Sequence, residues 1–201
     1  MDVEAGYRVE IGSVAVIDVT GFAGRYSNLL TSESAAPLVQ FVPSPRIVVT
    51  STSRNHLTAT TRGLEVAGHW TPLPGLQVDG SYTAFHMGPK LAASSQDPFA
   101  ASEDGSAPRA QWQLRSAYAP SSRAMVNLGI FHVGKIEQLQ VAGYTRTDVS
   151  AEWRFNSRLT LMAIGQNLLD TTHTEFHGID ALVLATEVPR SAGLRLRWTF
   201  R

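Results

Sequence analysis

The chain has 201 residues, enough for one domain with a sizeable core, and its 17 basic residues balance its 17 acidic ones. That balance removes the electrostatic basis for nucleic acid as a partner, and the absence of cysteine excludes disulfides, thiolate metal sites and cysteine nucleophiles. No apolar run approaches the ~20 residues of a membrane helix, yet the mean hydropathy of −0.06 suits the alternating strands of a membrane barrel as well as a soluble domain.

The opening "MDVEAGYRVEIG" has no basic stretch followed by an apolar one, so no signal peptide is read there. Its period is two: Val3, Ala5, Tyr7 and Val9 oppose Glu4, Arg8 and Glu10. A strand is expected over 2–10. A second, over 13–27, has two mixed faces. The stretch 36–51 holds three prolines, which argue against a central strand in its first half and leave room for a short strand or hairpin. Over 56–71, Leu64, Val66 and Trp70 oppose Glu65 and His69; over 75–88, Leu76, Val78, Tyr82 and Ala84 oppose Gln77, Asp79, Ser81 and Thr83. Over 108–119, Ala110, Trp112, Leu114 and Tyr118 oppose Gln111, Gln113 and Arg115; over 123–134, Ala124, Val126, Leu128 and Ile130 oppose Met125, Asn127 and Gly129. The segment 143–155 is the clearest: Tyr144, Arg146, Asp148, Ser150, Glu152 and Arg154 face one way, and Thr145, Thr147, Val149, Ala151, Trp153 and Phe155 the other. Both faces of 158–169 are rather apolar, and 189–200 closes with Ala192, Leu194, Leu196, Trp198 and Phe200 against Gly193, Arg195, Arg197 and Thr199.

The connections between these nine expected strands alternate in length. "EIGS", "TPLPG", "PSSR" and "NSR" are tight turns; long links fall at about 28–55, 89–107, 135–142 and 170–188. Antiparallel strands then collect every tight turn on one side and every long loop on the other, as in an outer-membrane barrel with short periplasmic turns and long extracellular loops. Trp70, Tyr118, Trp153, Phe155, Trp198 and Phe200 gather at the tight-turn ends, where an aromatic girdle at a membrane interface would lie. The charged residues Asp148, Glu152, Arg154, Arg195 and Arg197 share the polar faces and are expected toward a water-filled lumen. The fold class is thus all-β: an antiparallel, up-and-down transmembrane barrel segment. A soluble β-sandwich binding module, for carbohydrate as an example, would also alternate, and a small autonomous outer-membrane barrel is a further reading.

At this point the motifs themselves resemble the C-terminal part of TonB-dependent receptors. "EAGYR" (4–8), "GFAGRYSNLL" (21–30), "TRGLEVAGHWTPLPGLQVDGSYT" (61–83), "PRAQWQLRSAY" (108–118), "LTLMAIGQNLLDTTHTEF" (159–176) and "EVPRSAGLRLRWTF" (187–200) are similar to successive family segments in the family's order. The resemblance implies a barrel of about 22 strands preceded by a plug, and uptake of a scarce nutrient, most often a ferric siderophore or similar metal chelate. It implies as partners the lipid of the outer membrane, a plug domain and remaining barrel strands if encoded separately, and the TonB complex through that plug. Residues 1–201 would then be a truncated or split part of the barrel domain, located in the Gram-negative outer membrane, with the terminal aromatics read during barrel assembly. Family members typically end on that aromatic, whereas Arg201 follows Phe200 here.

One stretch allows another chemistry. His173, Glu175 and His177 recur at every second position, so a strand would put two imidazoles and a carboxylate on one face, a possible zinc or iron set. The competing expectation makes them part of the last external loop, beyond "GQNLLD". No nucleophile elbow, Walker loop, dinucleotide fingerprint or zinc-protease helix occurs, so neither an enzyme nor a cofactor is expected.

Overall fold

The computed structural model describes residues 1–177 and 184–200. The strands are β1 (Asp2–Ile11), β2 (Ala15–Ser34), β3 (Leu38–Gln40), β4 (Arg46–Val48), β5 (Ser51–Leu73), β6 (Leu76–Leu91), β7 (Ala110–Ser121), β8 (Ala124–Val133), β9 (Tyr144–Arg154), β10 (Leu159–Gln166), β11 (Thr172–Phe176), β12 (Thr186–Pro189) and β13 (Ser191–Trp198). A single 3₁₀ turn, Ala100–Gly105, interrupts the link between β6 and β7.

Nine strands form one antiparallel sheet in the order β1-β2-β5-β6-β7-β8-β9-β10-β13. Every neighbour in that order is also the next long strand in sequence, so the topology is an up-and-down meander. The other four strands form two small hairpins, β3 with β4 and β11 with β12. Among the described residues β1 pairs only with β2 and β13 only with β10, so the sheet is not closed. This excludes the small autonomous barrel for the described chain. The β-sandwich is not seen either, because among the described residues the only further sheets are two small hairpins.

The tight turns have local causes. Gly12 and Gly75 take φ of 56° and 80°, which glycine adopts without a side-chain clash. Between β9 and β10 the Asn156 side chain accepts from the amides of Arg158 and Leu159 at 2.9 and 3.0 Å, beside the backbone bond from the Phe155 amide to the Leu159 carbonyl at 3.0 Å.

The expected long strands are present, but two are longer than the sequence pattern suggests. β2 and β5 reach 20 and 23 residues, well beyond the ~9–11 needed to cross a bilayer. The link expected over 28–55 therefore shrinks, with both of its ends paired as strand up to Ser34 and from Ser51. Register breaks at Tyr26/Leu29 and Leu29/Thr31, with Asn28 at φ 60°, mark where the pair leaves the regular sheet. These residues alternate poorly because they project past the band that has one wet and one apolar side. The prolines of 36–51 sit outside β3 and β4, as their missing donors require.

The packing is inverted relative to a globular domain. Among the described residues the buried apolar ones are Leu57, Ala59, Ala100 and Val141. The first three lie together at the long-loop end, where Ala100 opens the 3₁₀ turn. Tyr7, Leu64, Trp112, Val126 and Leu196 lie open on the apolar face. An uncovered apolar surface of this extent calls for a non-aqueous neighbour.

Candidate ligand-facing wall and rim

Register aligns the polar residues of successive strands into continuous rows. One runs Glu10, Val16, His69, Asp79, Arg115, Gly129, Asp148 across seven adjacent strands, β1 to β9 in sheet order. Residues directly across an antiparallel pair share a face, so polarity read strand by strand becomes one polar wall. Its reverse carries Val66, Tyr82 and Trp112 in another row.

The five charged positions expected in a lumen occupy this wall, but not as one cluster. Asp148 accepts two bonds from Arg146, at 3.0 and 2.7 Å. Glu152 lies 3.9 Å from Arg154. Arg195 and Arg197 stand on β13, separated from β9 by β10: Met162 pairs with both Glu152 and Arg195, and Thr160 with both Arg154 and Arg197. The six aromatics lie at the tight-turn ends and are exposed. Trp198 and Phe200 stack with ring centroids 5.7 Å apart.

Within the last long link, His173 and Glu175 lie in β11, which pairs with β12 and folds against the polar wall at Tyr144; His177 follows β11. His173 stacks on Tyr144 at 4.2 Å, and its Nε2 lies 3.1 Å from Glu175 Oε1. That carboxylate is also 4.0 Å from Arg146. Among the described residues no three His, Asp or Glu side chains converge to hold a metal ion. His173 and Glu175 are brought together, His173 against Tyr144 and Glu175 near Arg146. The expected link 170–188 is only partly described, since 178–183 lie outside the described residues.

The pivot of this hairpin, Asn167, was not singled out in the sequence. It is fully buried at φ 52°, donates Nδ2 to the Val188 carbonyl at 2.9 Å and gives its amide to Asp148. The signal was present in the residue type, since asparagine tolerates the left-handed region.

A second site missed by sequence reasoning lies at the outer rim, above the membrane-length part of the strands. Glu33 accepts from the hydroxyls of Thr31 and Ser95, both at 2.7 Å, and from the Gln96 amide at 2.6 Å. These donors, the Gln96 amide foremost, with His56 nearby, lower its pKa to about 2. Asp97 accepts from the amides of Ser32, Phe99 and Ala100, which hold its carboxyl below the usual range. The two carboxylates thus latch the 92–99 segment to β2. In the β8–β9 link, Lys135 beside Glu137 lowers that carboxyl as well. No local pattern announces the latch, because its partners lie more than 60 residues apart.

A family model described as TonB dependent receptor-like, beta-barrel, matches residues 2–168. The chain belongs to this family, an outer-membrane barrel family of receptors and not of enzymes. No curated protein matches the chain. Among solved structures it is similar to the ferric yersiniabactin uptake receptor FyuA from Yersinia pestis, with 18% identity and a TM-score of 0.69 over 100% of this chain and 30% of that one. It is also similar to the ferric-catecholate import receptor Fiu from E. coli K12, with 19% identity and a TM-score of 0.66 over 97% of this chain and 26% of that one. For the pyoverdine receptor FpvA from Pseudomonas aeruginosa PAO1 the identity is 16% and the TM-score 0.64, over 99% and 30%. The chain therefore spans about a quarter to a third of the length of these receptors.

Proposed function

We propose that residues 1–201 form part of the barrel wall of an outer-membrane receptor that imports a scarce nutrient, most often a ferric siderophore or similar metal chelate, driven by the TonB complex. The observation that carries this reading is the in-register sheet, polar on one side and apolar and uncovered on the other. The apolar side meets lipid. Trp70, Tyr118, Trp153, Phe155, Trp198 and Phe200 form its girdle at the tight-turn interface, where rings with one apolar and one wet side are favoured. The aromatic end at Trp198 and Phe200 serves barrel assembly.

The polar side faces the lumen, where Asp148, Glu152, Arg154, Arg195 and Arg197 meet channel water, a plug or passing cargo. Remaining strands complete the barrel beyond β1 and β13, since curvature depends on strand number. The similar receptors with siderophores in their names support the cargo class. The His173–Glu175 pair serves to seat the last hairpin rather than to hold a resident metal.

The test is uptake of radiolabelled iron, supplied as a panel of chelates, by cells with and without the intact receptor gene. At least one chelate should be imported only when both the receptor and TonB are present, and the protein should fractionate with the outer membrane. Unchanged uptake of scarce metal chelates and other nutrients across the panel overturns the transport reading.

A further inference from the structure

Arg115 stands apart from its neighbours on the polar wall. Its row reads His69, Asp79, Arg115, Gly129, Asp148. Asp79 is turned toward His69, with Oδ1 2.8 Å from Nδ1. Asp148 is engaged by Arg146 and the Asn167 amide. Arg115 is exposed and makes no ion pair among the described residues. Both carboxylates of its row are thus occupied while its guanidinium is open.

The space beside it is shaped as well as charged. A trough of about 450 Å³ opens there, bordered by Asp79, Asn127, Phe131, Asp148 and Ile164. Gly129 makes its floor: a Cβ at that position would come 2.8 Å from the Phe131 ring. Any side chain at 129 would fill the trough or displace the ring.

A guanidinium presents a planar fork that fits a carboxylate through two parallel bonds. The flanking Asp79 and Asp148 repel a doubly charged group such as phosphate more than a singly charged one. We propose that Arg115 anchors a carboxylate-binding subsite in this trough. The proposal rests on the reading of the polar face as a lumen wall. The carboxylate comes either from soluble cargo or from an Asp or Glu side chain of a segment filling the lumen; the chemistry at Arg115 is the same.

The experiment is arginine-specific labelling of the full-length receptor in detergent with phenylglyoxal, followed residue by residue by mass spectrometry, with Arg158 in the β9–β10 turn as reference. If cargo supplies the carboxylate, Arg115 reacts as fast as Arg158, and a singly charged carboxylate such as lactate slows it about tenfold, or about 1.4 kcal/mol, while a neutral trihydroxamate does not. If an internal segment supplies it, Arg115 is slow without additions and speeds up when acidic residues of that segment are changed to Asn or Gln. Fast reaction without protection by lactate, or slow reaction that those changes leave slow, overturns the proposal. Labelling needs no Arg115 variant and no transport, so its outcome is separate from the uptake test above.

Discussion

The amide of Asn167 donates to Oδ1 of Asp148 at 3.0 Å, tying the residue just past β10 to the wall of β9. Beside it, the Leu168 amide donates to the Thr147 carbonyl at 2.9 Å. The chain leaving β10 therefore turns onto the polar wall, and Asn167 Nδ2 holds the returning strand through Val188. Replacing Asn167 by Gly keeps the left-handed backbone and removes the side-chain bond; replacing it by Ala loses both. Asn167→Ala should loosen the hairpin by about 2 kcal/mol and Asn167→Gly by about 1. Amide exchange over Thr172–Phe176 in the full-length receptor measures this. Equal effects of the two substitutions would remove the backbone part of the argument.

The rim latch gives a pH dependence with a defined sign. Glu33 is lowered from 4.5 to about 2, so its contribution is fully present above about pH 4.5 and lost as pH falls toward 2. The 92–99 segment should stay protected from protease at pH 7 and pH 5 and open below pH 4.5. Glu33→Gln should raise cleavage at neutral pH and flatten the acid response. A segment that opens instead between pH 7 and pH 5 would shift the control away from Glu33.

Much of this fold was legible because the sheet repeats one rule. Alternation over 144–155 placed Asp148 and Trp153 on opposite faces correctly, and turns such as "NSR" set the connections. What escaped has physical causes. β2 and β5 run on past the alternating band, where no single face is apolar. Glu33 and Asp97 act through partners far apart in sequence. Spacing made His173, Glu175 and His177 a possible metal set beside the loop reading; it carries no information about Tyr144 and Arg146, which engage His173 and Glu175 from another strand.

Gly63 offers a packing test. It pairs with Phe22 on one side and Phe85 on the other, and those rings stack across it with centroids 6.4 Å apart. A Cβ at 63 would collide with the Phe22 ring and lie 2.6 Å from the Ala84 carbonyl oxygen. At Gly21 nothing lies within 4 Å of the added atom. Gly63→Ala should lower stability by about 1–3 kcal/mol, the usual cost of overpacking, while Gly21→Ala should leave it within about 0.5 kcal/mol. Urea midpoints of the full-length receptor in lipid vesicles compare the two directly.

The facing of the sheet can be tested with one residue pair. Val66 lies between Val19 and Tyr82 on the apolar side, and Thr83 lies between Glu65 and Gln111 on the polar side. An arginine on the lipid side of a barrel costs about 2–4 kcal/mol near the bilayer midplane. An arginine at 83 would stand beside the Glu65 carboxylate in water and should change stability by less than about 0.5 kcal/mol. Val66→Arg should therefore reduce folded protein in the outer membrane, seen as loss of the heat-modifiable band, and lower the urea midpoint in vesicles. Thr83→Arg should do neither. The reverse ranking would place water on the face that carries Val66 and lipid on the face that carries Arg115, and the lumen assignment would fall with it.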